Sequence, residues 1–572
     1  MRANTLETTA VTRWTFPVEP VPAAVIQELS GALGLPPVVA KILARRGKET
    51  PEKAQPFLFP KLEELCDPFL LPSMKSAVEF LISAIRENEP IMIFGDYDVD
   101  GITATSLMYL ALNRLGARVS YYLPNRLVEG YGLSEDGFLE AQKRGAKWIL
   151  SVDCGITAVN EVAFGNSLGI RTIITDHHEP ASQLPEAAAI VNPKLGESGI
   201  GEELSGVGIT YKLTQALFSH LGQEEPEEHL DLVALGTLAD IVPLSGENRI
   251  LTRFGMQALS RTSKPGLKSL ALVAGLLGKE ISAGQVIFVL APRINAIGRL
   301  GNATDAIRLL TTRDEKVASE IARFLDSENR KRRDLDENTL EEALQKIEAE
   351  IDLSAERAIV LASDRWHPGV IGIVASRLVE RFYRPTVMIA VEGEEGKGSA
   401  RSIPGFHLTE ALRLCESHLI RYGGHKYAAG LSIARSEIES FRRKMSEVSR
   451  QLLSDEDLIP KLDVDAEIRF DEIDEKLIDV LELFAPFGPA NMRPVFVSRH
   501  SELVGDPVVV GNNHLKLRLR QQDKVIDAIG FGMGRFALPL ARARRADFAY
   551  SLEFNEWNGQ RRIQLRLRDI HL

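Results

Sequence analysis

Cysteine is scarce in this chain: Cys66, Cys154 and Cys415 are the only three in 572 residues, far apart and odd in number. They offer neither a disulfide framework nor the spacing of a zinc motif, so a reducing compartment, the cytoplasm, is the expected location. Long hydrophobic runs are missing as well. No apolar stretch approaches the ~18 residues that span a bilayer. The N-terminus, Met-Arg-Ala-Asn-Thr-Leu-Glu, opens without a hydrophobic signal segment, so neither export nor a membrane partner is expected. No G-x-x-x-x-G-K-[ST] stretch occurs, which removes the usual device for ATP hydrolysis. Positive charge is in deficit: 68 Lys and Arg against 79 Asp and Glu leave a net charge of −11. A protein that grips a phosphate backbone usually shows a basic surface. A basic groove can nevertheless sit within acidic surroundings, and carboxylates gathered around metal ions carry charge that the ions neutralise.

What is present is the composition of an ordinary globular protein, 44% hydrophobic and 26% charged, long enough for several domains. Residues 1–75 hold Pro-rich stretches and an amphipathic piece at Val25–Leu33, and carry no visible chemistry. Beyond them, short β-rich runs (Ile91–Phe94, Trp148–Val152, Arg171–Thr175) alternate with helical patterns (Ile102–Leu115, Ala158–Leu168). That alternation predicts βαβ units and a mostly parallel sheet. From about Asp314 to Ile351 a highly charged stretch has apolar positions at Leu340, Leu344, Ile347 and Ile351, the stripe of a long, partly exposed helix. A second α/β stretch follows, with strands at Ala358–Ala362 and Thr386–Val391 and a helix through Gly369–Phe382. From about Leu462 short alternating strands separated by Gly/Asn turns predict a small β-barrel, most economically an OB-fold.

Each of the first three strands runs into a polar cluster: Asp96-Tyr97-Asp98-Val99-Asp100-Gly101, Asp153-Cys154-Gly155, and Asp176-His177-His178. Ligands of open α/β sheets gather at the carboxyl ends of the strands, so three acidic clusters there suggest one shared site. Asp240, in Leu-Ala-Asp-Ile-Val-Pro, is a further candidate. Phosphodiester hydrolysis needs a nucleophile and relief of charge at phosphorus, and two divalent ions about 3.5–4 Å apart supply both. Hard oxygen ligands with an added imidazole suit Mg²⁺ or Mn²⁺. Two plainer readings compete. Asp-x-Asp-x-Asp-Gly opens an EF-hand loop, but Leu107 stands where that loop needs Glu, and a strand precedes it where a helix belongs. Any single Asp could equally be a helix cap.

These residues resemble the DHH phosphoesterases, with Asp176-His177-His178 as the signature and the other acidic stretches similar to that superfamily's metal motifs. Within it the resemblance is to the RecJ nucleases, over nearly the whole chain. It continues through Tyr122–Arg126, Glu129–Leu133, Pro292–Ala296 with Gly298-Arg299, Trp366–Gly372, Gly398–Ser402 and Gly423-Gly424-His425 with Ala428–Gly430. The resemblance implies an α/β protein: an N-terminal cap (1–75), a DHH catalytic domain (76–262), a helical connector (263–352), a DHHA1-like substrate-binding domain (353–455) and an OB-fold (456–572). It implies that Asp96 and Asp98 hold one ion, Asp100, His177 and Asp240 the other, and that Asp153 bridges them. His178 would contact the scissile phosphate or assist protonation.

The implied activity is 5′→3′ removal of 5′-mononucleotides from single-stranded DNA with two Mn²⁺ or Mg²⁺ ions, in DNA repair and recombination. Ser399, Arg401 and Ser402 would form the pocket for the 5′-terminal phosphate, with Gly424 and His425 close to the chain, and Arg126 and Arg299 holding phosphates near the metals. A narrow cleft between the two α/β domains would exclude duplex. In the C-terminal part Phe470, Phe496, Phe531, Phe554 and Trp557 offer aromatic surface, and Arg518, Arg520, Arg542, Arg544 and Arg545 offer charge. Most of those rings are expected in the barrel core, with Trp557 the best candidate for exposure. A monomer is expected, working on strands supplied by a helicase and a single-strand-binding protein. Two other readings stay open: a DHH phosphodiesterase for short oligonucleotides or other small phosphates, which would need no barrel, and an inactive scaffold, which would have lost metal ligands.

Overall fold

The computed structural model describes residues 12–124, 129–300, 303–557 and 560–572. Arg126 lies outside them, and the side chains of Arg299 and Trp557 are likewise outside what is described. The chain folds as two compact units, one comprising Glu52–Arg330 with Leu483–Arg493, the other the residues up to Pro51 with Lys331–Glu482 and Pro494–Leu572.

The first unit is built on a parallel sheet of β1 (Ile91–Phe94), β2 (Val119–Tyr122), β3 (Trp148–Val152), β4 (Arg171–Thr175) and β5 (Ala189–Val191), in the order β2-β1-β3-β4-β5. Every residue of β1 and β3 is buried, as expected of parallel strands covered on both faces. The register pairs Phe94 with Ser151 and Val152 with Thr175. The polar residues that follow β1, β3 and β4 therefore emerge side by side at one edge. Helix α1 (Val99–Arg114) begins there, capped by Asp98, whose side chain accepts from the amides of Asp100 and Gly101. It is buried along most of its length against α2 (Gly206–His220) and α3 (Leu230–Ala239).

The returning segment Leu483–Arg493 is tied into this unit by a buried arginine. Arg249 donates to the carbonyls of Phe57, Leu483 and Ala485 at 2.8, 3.0 and 2.8 Å, and its guanidinium lies 4.2 Å from the centre of the Phe57 ring. Arg253 adds a bond to Ala485, and the Leu244 amide donates to Pro489.

Helix α4 (Glu315–Glu350) is continuous from the first unit into the second. In the second unit its stripe of Leu340, Leu344, Ile347 and Ile351 packs against β6 (Ile359–Ser363) and α5 (Ile371–Phe382). The sheet continues through β7 (Thr386–Glu392), β8 (Glu395–Arg401), β9 (Arg421–Gly424) and β10 (Ala428–Ala434), in the order β9-β10-β8-β7-β6, with only the β6–β7 pair parallel. The C-terminal strands close a barrel. Phe496–Leu503 pairs with Arg545–Trp557 on one side and, through Leu503 and Leu519, with His514–Gln521 on the other. Along His514–Gln521, Leu515, Leu517 and Leu519 point inward and Lys516, Arg518 and Arg520 outward, the alternation of a one-sided sheet. The strand Arg13–Thr15 adds in parallel to Lys461–Asp463. Trp14 there stacks on His571 at 3.8 Å and donates to Asp569 at 2.7 Å.

The parallel sheet, the linking helix, the second α/β sheet and the closed barrel are the architecture expected from the sequence. Among the described residues no single helix is long and apolar enough to cross a membrane.

Candidate metal centre

The carboxyl edge of the first sheet gathers the acidic clusters. Ligand atoms of Asp96, Asp98 and Asp153 lie within 4.8 Å of one another, as do those of Asp100, His177 and Asp240, and those of Asp153, His177 and His178. Asp153 thus belongs to two of the groups. His177 Nε2 is 3.2 Å from Asp153 Oδ1 and 3.6 Å from Asp240 Oδ2. Asp153 Oδ1 is buried without a hydrogen bond, a costly state for a carboxylate oxygen with no cation nearby.

Two backbone conformations here are strained. Asp153 sits at φ 63° and Ile241, directly after Asp240, at φ 60°. The left-handed region is tolerable for Asp and a genuine outlier for a β-branched residue. Such strain persists where the surroundings over-determine it, here at the residues that aim carboxylates inward. Helix α2 also converges on the cluster. Its first amides, Gly206 and Val207, donate to Asp100 Oδ2 and Oδ1 at 2.7 and 2.9 Å. A methyl group on Gly206 would lie 2.3 Å from Asp153 Oδ1, so only glycine lets the helix come this close. Gly298, in the helix Ala291–Leu300, similarly approaches the Tyr97 carbonyl, which places the backbone of Arg299 beside the first acidic motif.

The electrostatics follow from crowding. Burial, then repulsion from Asp100, Asp98, Asp240 and Asp96, pushes the Asp153 carboxyl well above its usual range. Burial and Asp98 push Asp100 up to about 7; burial with Asp100, Asp98 and Asp96 pushes Asp240 up to about 9. Burial and the neighbouring His178 lower His177 to about 3, leaving its imidazole neutral, the form that ligates metal. Asp176 is different. Burial opposes its charge, yet the His178 ring and the amides of Ile156 and His178 hold its carboxyl below the usual range. His178 Nδ1 is 2.7 Å from Asp176 Oδ1, so Asp176 orients an imidazole. Cys154 offers no thiolate: burial and the nearby carboxylates raise it, and its Sγ faces the Phe94 carbonyl.

In the second unit, β8 carries Ser399 and Arg401 on the same face. Arg401 Nη1 donates to Ser399 Oγ at 3.1 Å and to the Ala400 carbonyl at 2.8 Å. A methyl group on Gly372, in the first turn of α5, would lie 2.9 Å from Ser399 Oγ and 3.1 Å from Arg401 Nη2. A helix N-terminus, a guanidinium and a hydroxyl therefore converge, a combination suited to an anion. Ser402 is not drawn into this group, because its hydroxyl donates to the Phe406 carbonyl at 2.9 Å. Gly424 has φ 145°, and its Cα lies too close to Ala428 for any side chain. Exposed His425 follows in the turn, at the end of the sheet where Ala428 pairs with Arg401.

On the barrel, Phe470 and Phe496 are core residues. Phe531 is 52% exposed, with Arg566 5.1 Å from its ring centre, and Arg561 covers Phe554 at 3.4 Å. Arg518 and Arg520 are exposed, 3.8 and 3.0 Å from Asp527 and Glu502, and Arg544 pairs with Asp506. The Arg545 Nε donates to the His500 carbonyl, and Arg542 is exposed.

Three family models match the chain: the DHH family N-terminal domain over residues 90–237, the DHHA1 domain over 355–451 and the RecJ OB domain over 464–569. The chain is 35% identical over 560 residues to the single-stranded-DNA-specific exonuclease RecJ of Dickeya dadantii, covering 94% of this chain and 96% of that one. The chain belongs to the RecJ family. The RecJ of Bacillus subtilis is 39% identical over 550 residues, 95% of this chain and 69% of that protein. A crystal structure of RecJ from Thermus thermophilus in complex with Mn²⁺ superposes with a TM-score of 0.85 at 32% identity, over 98% of this chain and 79% of that one. The Mg²⁺ complex of the same protein gives 0.80 at 31%, over 98% and 78%.

Sequence reasoning about this RecJ-family chain assigned no role to Gly206, Gly372 or Tyr131. Gly206 could have been suspected from Ser-Gly-Val-Gly opening a helical pattern, since Ser205 is its N-cap. Gly372 and Tyr131 stand within stretches that carried the resemblance.

Proposed function

We propose that this chain is a metal-dependent exonuclease that degrades single-stranded DNA from its 5′ end, releasing 5′-mononucleotides. The observation that carries this reading is the convergence of five carboxylates and a neutral imidazole on one buried edge, with Asp153 common to two ligand groups. The donor set is oxygen and imidazole without thiolate, which suits Mn²⁺ or Mg²⁺. The buried, hydrogen-bond-free Asp153 Oδ1 fits a place for a cation. Asp96 and Asp98 would hold one ion, Asp100, His177 and Asp240 the second, and Asp153 would bridge them. Bound there, the ions would supply Lewis acidity and a water more acidic than bulk.

The protein's own groups do the rest. Asp176 fixes the Nδ1 side of His178, leaving the other ring nitrogen to meet the scissile phosphate or give a proton to the leaving 3′-oxygen. The first amides of α2 hold Asp100, and the strained turns at Asp153 and Ile241 keep the carboxylates of Asp153 and Asp240 aimed. Ser399 and Arg401, with the first turn of α5, would take the 5′-terminal phosphate. Ser402 would support that strand through Phe406 rather than bind the anion itself. His425 and Gly424 would border the same pocket. Arg126 and Arg299 would hold phosphates near the metals, and the exposed basic face of the barrel would carry the strand downstream. We assign residues 1–75 to a cap, 76–262 to the catalytic domain, 263–352 to a connector, 353–455 to the substrate-binding domain and 456–572 to the barrel. The setting is DNA repair and recombination in the cytoplasm, as a monomer, on strands opened by a helicase and coated by single-strand-binding protein.

The test is a single-stranded oligonucleotide labelled at its 3′ end, incubated with Mn²⁺ or Mg²⁺. The reading requires a ladder shortening from the 5′ end, abolished by Asp153→Asn and weakened by Arg401→Ala. An intact long strand alongside hydrolysed dinucleotides would transfer the chain to the small-substrate class; no hydrolysis of either would make it a scaffold.

A further inference from the structure

Tyr131 lies outside every ligand group, yet three contacts tie it to the metal centre. Its hydroxyl is 3.2 Å from the Asp153 carbonyl oxygen. The same oxygen is 3.0 Å from His178 Nδ1 and 3.2 Å from His178 Nε2. The two rings meet edge to face, with centroids 5.5 Å apart and planes at 72°. Near-equal distances to both nitrogens have a geometric consequence. An in-plane oxygen at those distances would overlap Cε1, the atom between the nitrogens, so Tyr131 Oη lies over the face of the imidazole. It therefore occupies neither in-plane N–H direction. The Nδ1 direction belongs to Asp176, 2.7 Å away, and the hydroxyl proton goes to the Asp153 carbonyl. His178 is thus fixed along one edge by Asp176 and across one face by Tyr131.

We infer that Tyr131 is a positioning residue that sets the plane of the His178 ring, so that Nε2 keeps one direction towards the reacting phosphate. An imidazole held at Nδ1 alone can still swing about that bond; an oxygen seated on its face and anchored to the backbone of Asp153 stops the swing. The anchor matters because Asp153 is itself held in a strained turn, so ring plane and central carboxylate are set by the same short piece of backbone. Tyr131 is about half exposed, at 51%, and its contact with the Asp153 carbonyl is partly buried. Removing the hydroxyl takes away these contacts and leaves the ring in place.

This inference rests on the assignment of His178 to the reaction, and the experiment separates the two. Single-turnover and steady-state rates on single-stranded DNA are measured for wild type, Tyr131→Phe, His178→Ala and the double variant, with Mn²⁺ affinity measured on each by calorimetry. Tyr131→Phe is expected to lower kcat about fivefold, the worth of one hydrogen bond, with KM and Mn²⁺ affinity unchanged. In the His178→Ala background the same change is expected to have no effect, because there is no ring left to position. A loss that persists in that background, or one that falls on KM or on Mn²⁺ binding, overturns the positioning role and leaves a merely structural tyrosine. Full activity of Tyr131→Phe beside a defective His178→Ala also overturns it. If His178→Ala is itself fully active, the assignment of His178 fails, and with it the reason to position the ring.

Discussion

Replacing Gly206 by alanine tests the architecture of the metal centre more sharply than removing a ligand, because it leaves every ligand in place. The added methyl would lie 2.3 Å from Asp153 Oδ1 and 2.5 Å from its Cβ and Cγ. The Gly206 amide is bonded to Asp100 Oδ2 at 2.7 Å, so the helix cannot back away without releasing Asp100. Ordinary contact needs about 1 Å more room, which either the Asp153 carboxylate or the first turn of α2 must give. A displacement of about 1 Å in a reacting constellation costs on the order of 10²-fold in rate, and overpacking a close-packed site costs about 1–3 kcal/mol in stability. Gly206→Ala is therefore expected to lower kcat/KM on single-stranded DNA by about 10²-fold, weaken Mn²⁺ binding and lower the thermal midpoint. Gly284→Ala is the control, since a methyl group there meets nothing within 4 Å. If Gly206→Ala retains activity and Mn²⁺ affinity within twofold of wild type while folding normally, the reasoning about this contact is wrong.

Other expectations follow from the same geometry. In the metal-free protein Asp100 and Asp240 titrate near 7 and near 9 against an ordinary 3.8. The folded state then holds protons that the unfolded chain has lost, so stability falls as pH rises from about 4 through those values. Cations displace these protons, and the rise in thermal midpoint on adding Mn²⁺ should grow between pH 5 and pH 9; a pH-independent rise would contradict it. Asp153→Asn removes a buried acid whose ionisation burial and its neighbours oppose, in a turn that Asn also tolerates. It should match or exceed wild type in metal-free thermal stability while losing activity by about 10³-fold or more, the several kcal/mol that metal ions contribute. Arg401→Ala should slow a 5′-phosphorylated strand and affect a 5′-hydroxyl strand little, measured as the ratio of the two rates; an equal loss on both would remove the pocket from end recognition.

The strands that carry the metal centre could be read almost to the residue. Ile91–Phe94, Trp148–Val152 and Arg171–Thr175 are observed with the predicted ends, because strands covered on both faces are rich in apolar and β-branched residues and each is followed within two residues by an acid. Helix α4 was equally visible, since a stripe of Leu340, Leu344, Ile347 and Ile351 in a charged stretch has no other way to bury itself. What could not be read depends on contacts between distant residues. The closeness of Gly206 to Asp153 leaves no local mark beyond a glycine at a helix start. Ser402 stands beside Arg401 in sequence, yet it lies just past the end of the strand, and its hydroxyl meets Phe406. The pairing of Arg13–Thr15 with Lys461–Asp463 joins segments too far apart for any pattern to announce.

The return of Leu483–Arg493 to the first unit also orders events in time. Arg249 and Arg253 wait for the carbonyls of Leu483 and Ala485, so during synthesis the metal-binding unit lacks its last piece until the whole second α/β sheet has been made. A chain that stops early lacks the Leu483 and Ala485 carbonyls, while Arg249 keeps its bond to Phe57. The candidate metal ligands, of which Asp240 comes last, are thus made long before the unit that holds them is complete.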